Sequence, residues 1–146
     1  MPLIQVEAPE GALNKNDQDA LMSRISNAVL KAERAPISDA GAQALTWAYY
    51  NERPEGSIYV GGENLDQTPL RIAITTPDGA LNGETRAELV TEIGEIVDDI
   101  VGPYEGRLNH WTMLYDLADK HWSGNGQIFP LETIKEAMSI ENIKAA

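Results

Sequence analysis

Pro2, which directly follows Met1, is the residue in this sequence best suited to do chemistry. We expect removal of Met1, because the second residue is small, and Pro2 would then begin the chain as a secondary amine. An ordinary α-amino group titrates near about 7.7–8.0, and an apolar pocket or a nearby cation would lower that pKa. A free amine of this kind takes a proton from a carbon beside a carbonyl, whereas a cationic Pro2 would act as an acid. A purely structural alternative is a proline at the start of a strand, where no backbone donor is needed.

The composition excludes several other classes of function. Lys and Arg number 11 against 23 Asp and Glu, and the net charge of −12 argues against nucleic-acid and anionic-membrane partners. The chain has no cysteine and only two histidines, which excludes thiolate chemistry and a three-histidine zinc site. We therefore predict no metal and no cofactor. No apolar run approaches about 20 residues and no basic leader precedes the first strand, so the predicted location is cytoplasmic.

An internal repeat organises the elements that would position Pro2. Residues 9–14 (PEGALN) and residues 77–82 (PDGALN) match at an offset of 68. A short β-suited segment precedes each copy, and an amphipathic helix with the same apolar spacing follows each copy. Asn14 or Asn16 is the expected cap of the first helix, and Asn82 is the expected cap of the second.

Each predicted helix leads to an aromatic strand and then to a glycine-rich hairpin. The strands are residues 45–52 and 110–116, and the hairpins are residues 56–62 and 121–126. The predicted fold is α/β (α+β), with two β-α-β units related by a pseudo-twofold and a four-stranded mixed sheet with two helices on one face. We predict a single domain over 1–146, made of a repeat of about 1–66 and 67–130 and a helical tail over 131–146. The bare sheet face predicts an oligomer.

These features together resemble the tautomerase superfamily. The resemblance rests on Pro2, the β-α-β order, the Glu10-Gly11 turn and the Gly61-Gly62 segment, and it covers residues 2 to about 130. The halves resemble 4-oxalocrotonate tautomerase, and the duplication resembles the cis-3-chloroacrylic acid dehalogenase and macrophage migration inhibitory factor types. The resemblance implies a homotrimer without cofactor or metal. It also implies keto–enol tautomerisation with Pro2 as general base.

The sequence departs from the family at the cations that bind substrate. The positions of the family arginines carry Ala12, Trp47, Pro77 and Ala80, and the position of the dehalogenase helix histidine carries Val29. An arginine fork is the usual partner of a carboxylate, so its absence disfavours a dicarboxylate or haloacrylate substrate. Dehalogenation is the activity that these departures disfavour most.

Five other residues are predicted to bind substrate. Arg34, at the end of the first helix, falls close to the position of the pocket lysine in the macrophage migration inhibitory factor type. A helix C-terminus also favours a positive charge, which is the structural alternative. Aromatic walls would desolvate Pro2 and stack on a conjugated substrate, but tryptophans on a sheet face are often core or interface residues. The candidates are Arg34, Trp47, Tyr49, Trp111 and Trp122. Arg71 and Arg107 are further arginines that could reach a neighbouring subunit.

The predicted function is the tautomerisation of a small keto–enol substrate by Pro2. One alternative is hydratase or decarboxylase chemistry with a cationic Pro2 as acid. A second alternative is a non-catalytic trimer that keeps the scaffold and binds something else. Retention of Met1 would favour the second alternative, because the Pro2 nitrogen would then belong to an amide.

Overall fold

The computed structural model describes residues 1–140 and contains the β-α-β order twice. The predicted tail over 131–146 therefore extends outside the described residues, and within them it forms one short helix. The elements in chain order are β1 (Leu3–Pro9), α1 (Lys15–Ala32), α2 (Ala40–Ala44), β2 (Trp47–Arg53), β3 (Leu70–Pro77), α3 (Gly83–Ile100), β4 (His110–Leu117), β5 (Ser123–Gly124), β6 (Gln127–Ile128) and α4 (Leu131–Ala137).

The four long strands form one mixed sheet in the order β2-β1-β3-β4. β1 is parallel to β2 and β3 is parallel to β4, as a helical crossover between two strands requires. The central strands β1 and β3 are antiparallel, with Leu3 opposite Thr75. The predicted four-stranded mixed sheet is confirmed.

The strand register relates the two halves by the repeat offset. Leu3 pairs with Trp47, and Arg71, which lies 68 residues after Leu3, pairs with Trp111. The two tryptophans therefore hold equivalent places. By the same offset Pro2 and Leu70 are equivalent. The Pro2 carbonyl accepts a hydrogen bond from the Trp47 N–H at 3.2 Å, and the Leu70 N–H donates to the Asn109 carbonyl at 2.9 Å.

The helix boundaries follow from local chemistry. The Asn14 side chain accepts from the Asp17 N–H at 2.8 Å at the start of α1. Asn82 and Thr85 form a reciprocal capping box at the start of α3, with both hydrogen bonds between 2.8 and 2.9 Å. The left-handed backbone of Arg34, with φ of 62°, follows the end of α1.

The core lies between one face of the sheet and the helices α1 and α3. Alternate residues of the central strands are fully buried there, as the two-residue period of a strand requires. Burying a Val or Ile side chain contributes about 1.5–3 kcal/mol, so this face holds much of the stability. The strand residues are Ile4, Val6, Ile72 and Ile74, and they pack on Ile25, Val29, Ile93 and Val97 of the helices. The prediction of two helices on one face is confirmed.

The opposite face of the sheet carries exposed aromatic side chains. Trp47 is 60% exposed, Tyr49 50%, Trp111 65% and Tyr115 46%. The two-residue period places Trp47 with Tyr49 on β2 and Trp111 with Tyr115 on β4, all on the face away from α1 and α3. We call this surface the open face.

The two glycine-rich segments differ from each other. In the second half, β5 and β6 form the expected hairpin. In the first half, residues 56–62 form turns with a single bridge between Val60 and Glu63 instead of a paired hairpin. The Asn64 amide donates to the carbonyls of Gly56 at 3.0 Å and Ile58 at 2.9 Å, so a side chain satisfies these carbonyls where a hairpin would use a backbone N–H. Among the described residues, no helix has the length and apolar character needed to cross a membrane.

Candidate active site

Three segments meet around the start of β1. The crossover from β1 to the parallel β2 brings the end of α1 back to the beginning of β1. The antiparallel pairing of Leu3 with Thr75 places the turn after β3 beside the same point. Helix α4 packs on this end through Ile134 and Met138. The chain start is therefore enclosed by both halves of the repeat and by the tail.

The terminal amine lies inside this enclosure. Met1 is only 8% exposed, and its amine is 3.5 Å from the Oε2 atom of Glu33. The same amine donates to the Sδ atom of Met138 at 2.7 Å. An amine and a carboxyl group are thus held together in a buried pocket.

Glu33 is the buried acid of this pocket. It is 2% exposed, and within residues 1–140 neither carboxylate oxygen has a hydrogen-bond partner. Burial raises the pKa of Glu33, and the positive charge of the amine opposes that shift. Burial likewise lowers the pKa of the terminal amine, and the Glu33 carboxylate opposes that shift. Both burial effects favour the uncharged forms, because a low-dielectric pocket penalises charge.

The Met1 side chain occupies an apolar cluster that is separate from the main core. Trp122 and Phe129 cover this cluster from the second-half hairpin. Removal of Met1 would vacate a space of one methionine side chain directly in front of Pro2. The buried members of the cluster are Met1, Leu30, Ala35, Ala42, Ile134 and Met138.

A cavity of about 290 Å³ opens beside the amine. Arg34 lines it after the end of α1 and Lys135 lines it from α4, so two cations share the cavity with Glu33. The turn over 79–82 supplies the opposite wall, and Thr85 lies at the start of α3. The cavity combines an acid, an amine and two cations with apolar walls from Leu131 and Ile134.

The structure brings three of the predicted substrate-binding residues to this end of the sheet. Arg34 lines the cavity. Trp47 hydrogen bonds to the Pro2 carbonyl through its backbone, while its indole Nε1 donates to the Ala44 carbonyl at 3.0 Å. Trp122 packs on the cluster around Met1. Pro2 itself is buried, and its nitrogen forms the peptide bond to Met1.

Trp111 lies elsewhere in the chain. It is opposite Arg71, which is opposite Glu7, so it is about 16 Å from Pro2 along the strand direction. It lines a groove of about 840 Å³ with Tyr59 and three arginines. Those arginines are Arg53, Arg71 and Arg107. Tyr49 lies on the open face beside Trp47, two residues along β2.

The groove contains its own ion pairs. Glu7 pairs with Arg53 and, at 3.5 Å, with Arg71. The guanidinium of Arg107 stacks over the Tyr104 ring with a separation of 5.0 Å. Within one chain this groove and the amine lie at opposite ends of the sheet, so Arg71 and Arg107 do not reach the Pro2 end.

Sequence reasoning missed Glu33, although a signal for it exists. Leu21, Ile25 and Val29 recur every four residues along the buried face of α1, and the next position in that series is Glu33. An acidic residue in an apolar stripe is a sign of a buried carboxylate. Lys135 and Met138 carried no comparable signal, because the docking of α4 on the chain start is a long-range contact.

Among the described residues, no group of three His, Cys, Asp or Glu side chains could hold a metal ion.

Comparison with known proteins finds similarity in the fold but not in the sequence. No family model and no curated protein matches the sequence. Solved structures do match. A wild-type fused 4-OT asymmetric trimer is 17% identical and superposes with a TM-score of 0.72, over 86% of this chain and 94% of that one.

Two other kinds of structure match nearly as well. A member of the cis-3-chloroacrylic acid dehalogenase family is 15% identical with a TM-score of 0.69, over 88% of this chain and 83% of that one. Macrophage migration inhibitory factor of Toxoplasma gondii is 16% identical with a TM-score of 0.66, over 87% of this chain and 99% of that one. The chain therefore has the fold of the tautomerase superfamily. The resemblance inferred from sequence is confirmed at the level of the fold.

Proposed function

We propose that this protein is a tautomerase-like enzyme that moves a proton within a small keto–enol substrate. Pro2, after removal of Met1, is the general base. The observation that carries the proposal is that the chain start, with the Met1 amine and the adjoining Pro2, is buried beside a cavity of about 290 Å³. The shared fold supports the proposal, because fused 4-OT and the dehalogenase family member hold the same architecture.

The proposed reaction needs only one amine. The Pro2 nitrogen takes a proton from the carbon or oxygen of the substrate, and the electron pair moves into the conjugated carbonyl system. The resulting ammonium then returns the proton at the other end of that system, which balances the step. In this structure burial lowers the pKa of the Met1 amine. A Pro2 amine exposed at the same buried chain start would meet the same burial effect, which favours the free base.

Substrate binding is proposed to involve Arg34 and the apolar walls of the cavity. Arg34 is exposed at the cavity and free to meet a polar group of the substrate. Trp122 would limit the apolar end of the space that Met1 leaves. Trp47, Tyr49 and Trp111 belong to the open face, and their contribution depends on how subunits assemble.

We further propose that the protein is a cytoplasmic homotrimer in which the open face of each subunit forms the subunit interface. The fused 4-OT neighbours form trimers, and exposed tryptophans on one sheet face need a cover. In such an assembly the groove with Arg71 and Arg107 on one subunit could face the cavity of another. That arrangement would supply the cations missing from the family positions.

The test combines intact mass with enzyme kinetics. We expect mature protein without Met1, and a Pro2→Ala variant that ketonises a phenylenolpyruvate-type enol about 100-fold more slowly, as loss of a general base requires. An Asn51→Ala variant, altered at an exposed position of β2, is the matched control. A native protein no faster than buffer across several enols would contradict the proposal.

One observation favours a non-catalytic alternative. Met1 is buried, packed in an apolar cluster and paired with Glu33, which is a stable arrangement for an uncleaved terminus. If Met1 is retained, the Pro2 nitrogen is an amide and cannot act as a base. The protein would then be a tautomerase-fold binding protein, and the intact mass decides between the two.

A further inference from the structure

We propose that Glu33 and the Pro2 amine share one proton, and that this sharing sets the pH range in which Pro2 acts as a base. Glu33 is a positioning residue in this scheme, since it acts on substrate only through the amine. The inference rests on the proposed function for the identity of the amine. It adds a second ionisable group that the resemblance does not supply.

The first step of the argument is distance. The Glu33 Oε2 atom lies 3.5 Å from the Met1 amine. Three covalent bonds separate that amine from the Pro2 nitrogen, which is therefore within about 3.6 Å of it. The Pro2 nitrogen is therefore at most about 7 Å from that oxygen. After removal of Met1, the Glu33 side chain would turn into the vacated space to bring a carboxylate oxygen into hydrogen-bond range of the new terminal amine.

The second step is that the buried Glu33 carboxylate accepts no hydrogen bond within the described residues. Glu33 is almost wholly buried, and within the described chain both of its oxygens lack hydrogen-bond partners. A buried carboxylate in that state is costly unless it is protonated or paired with a cation. The terminal amine is the group placed to do either, because it can give up its proton or keep it and pair.

The third step concerns the other groups that face Glu33. Arg34 follows it directly at the end of α1, and Lys135 lines the cavity from α4, 3.7 Å from Glu132. Asn82 and Thr85 approach from the start of α3 and are uncharged. The charge acting on Glu33 is that of the terminal amine, so the two groups titrate together.

The proton balance follows from these contacts. In the uncharged pair the proton sits on a Glu33 oxygen and the amine nitrogen keeps its lone pair, which makes it ready to accept a substrate proton. In the ionic pair the same proton sits on nitrogen and Glu33 is a carboxylate. Both states carry one proton, so no external donor is needed to pass between them.

The test is a titration of the Pro2 nitrogen by NMR in protein labelled with ¹⁵N-proline. A terminal proline is the only proline whose nitrogen can titrate, since the others are amides. Glu33→Gln removes the negative charge and should lower the amine pKa by about 1–3 units. The acidic limb of the kcat/KM profile should move in the same direction.

The control is Glu88→Gln, the same chemical change at an exposed position of α3. We expect wild-type titration in that variant. If Glu33→Gln does not fold, Glu33→Asp gives the answer, because a shorter side chain weakens the attraction and produces a smaller shift of the same sign. An amine pKa that is unchanged in the folded Glu33 variant would overturn the inference.

Measurement of the intact mass distinguishes failure of the Glu33 proposal from failure of the proposed function. Protein lacking Met1 with an active Pro2 and no shift in Glu33→Gln overturns only the proton sharing. Protein that retains Met1 overturns the proposed function and the pairing with Pro2 together.

Discussion

Arg34 and Gly102 adopt the same left-handed backbone conformation after two equivalent helices, 68 residues apart. Their φ angles are 62° and 89°. Glycine takes this conformation freely, whereas a residue with a Cβ pays about 1–2 kcal/mol for it. The first half of the repeat therefore carries a strained arginine, which lines the cavity. At the equivalent position the second half carries a glycine, which adopts this backbone without strain.

Arg34→Gly is expected to separate substrate binding from stability. The glycine relieves the backbone strain, so the free energy of unfolding should stay the same or rise. Loss of one charge-assisted hydrogen bond, worth about 1.5–3 kcal/mol, should raise KM for a carboxylate-bearing enol by about tenfold or more. Steady-state kinetics and urea unfolding measure the two effects. Arg34→Lys retains the charge and should keep most of the affinity. An unchanged KM in Arg34→Gly would mean that Arg34 serves only the helix end.

Glu33→Gln is expected to flatten the dependence of stability on pH. Burial raises the pKa of Glu33 above its ordinary value of 4.5, so the folded chain binds more protons than the unfolded chain between 4.5 and the raised pKa. The free energy of unfolding that this group contributes is present below pH 4.5 and is lost as pH rises through the raised pKa. Glutamine has no such proton, so the loss disappears in the variant.

The terminal amine contributes to the pH dependence of stability in the opposite direction. Burial lowers its pKa below 8.0, so its contribution is present above pH 8.0 and is lost as pH falls through the lowered pKa. Urea unfolding at a series of pH values should show this slope below pH 8.0 in wild type. In Glu33→Gln the slope should extend to lower pH, because loss of the carboxylate lowers the amine pKa further. Wild-type protein and Glu88→Gln should share the additional Glu33 slope. The same slope in Glu33→Gln would show that Glu33 does not titrate in this range.

Trp47→Glu should disrupt the proposed trimer. A carboxylate placed on a covered sheet face must lose its water, which costs several kcal/mol without a partner. Sedimentation equilibrium should show the variant as smaller species at concentrations where wild type is trimeric. Val90→Glu, on an exposed position of α3, is the matched control and should assemble normally. A trimeric Trp47→Glu variant would place the subunit interface elsewhere.

Most of the fold could be predicted because its information is local and repeated. The offset of 68 appears in the turn sequence, in the helix caps and in the apolar spacing. Each of these signals concerns residues close in sequence, and the duplication lets one half check the other. The short helix α2 was missed, since its five residues carry no amphipathic period.

The candidate site was only partly predictable, because it depends on contacts between distant segments. Pro2 and Arg34 were found from their types and places in the repeat. The pairing of Met1 with Met138 spans almost the whole chain, and no local pattern announces it. Glu33 could have been found by extending the series from Val29 by one helical turn. Trp111 was predicted to line the pocket, and within one chain it lies at the other end of the sheet.

The equivalence of Pro2 and Leu70 limits how many reactive centres one chain can carry. A polypeptide has a single beginning, and the Leu70 nitrogen is already committed to the Asn109 carbonyl as a peptide N–H. The duplication therefore doubled the scaffold without doubling the amine. Within one chain, residues around the second strand start therefore have no terminal nitrogen beside them. Three amines, not six, would serve a trimer of this chain, and the other three positions are open to a different specialisation.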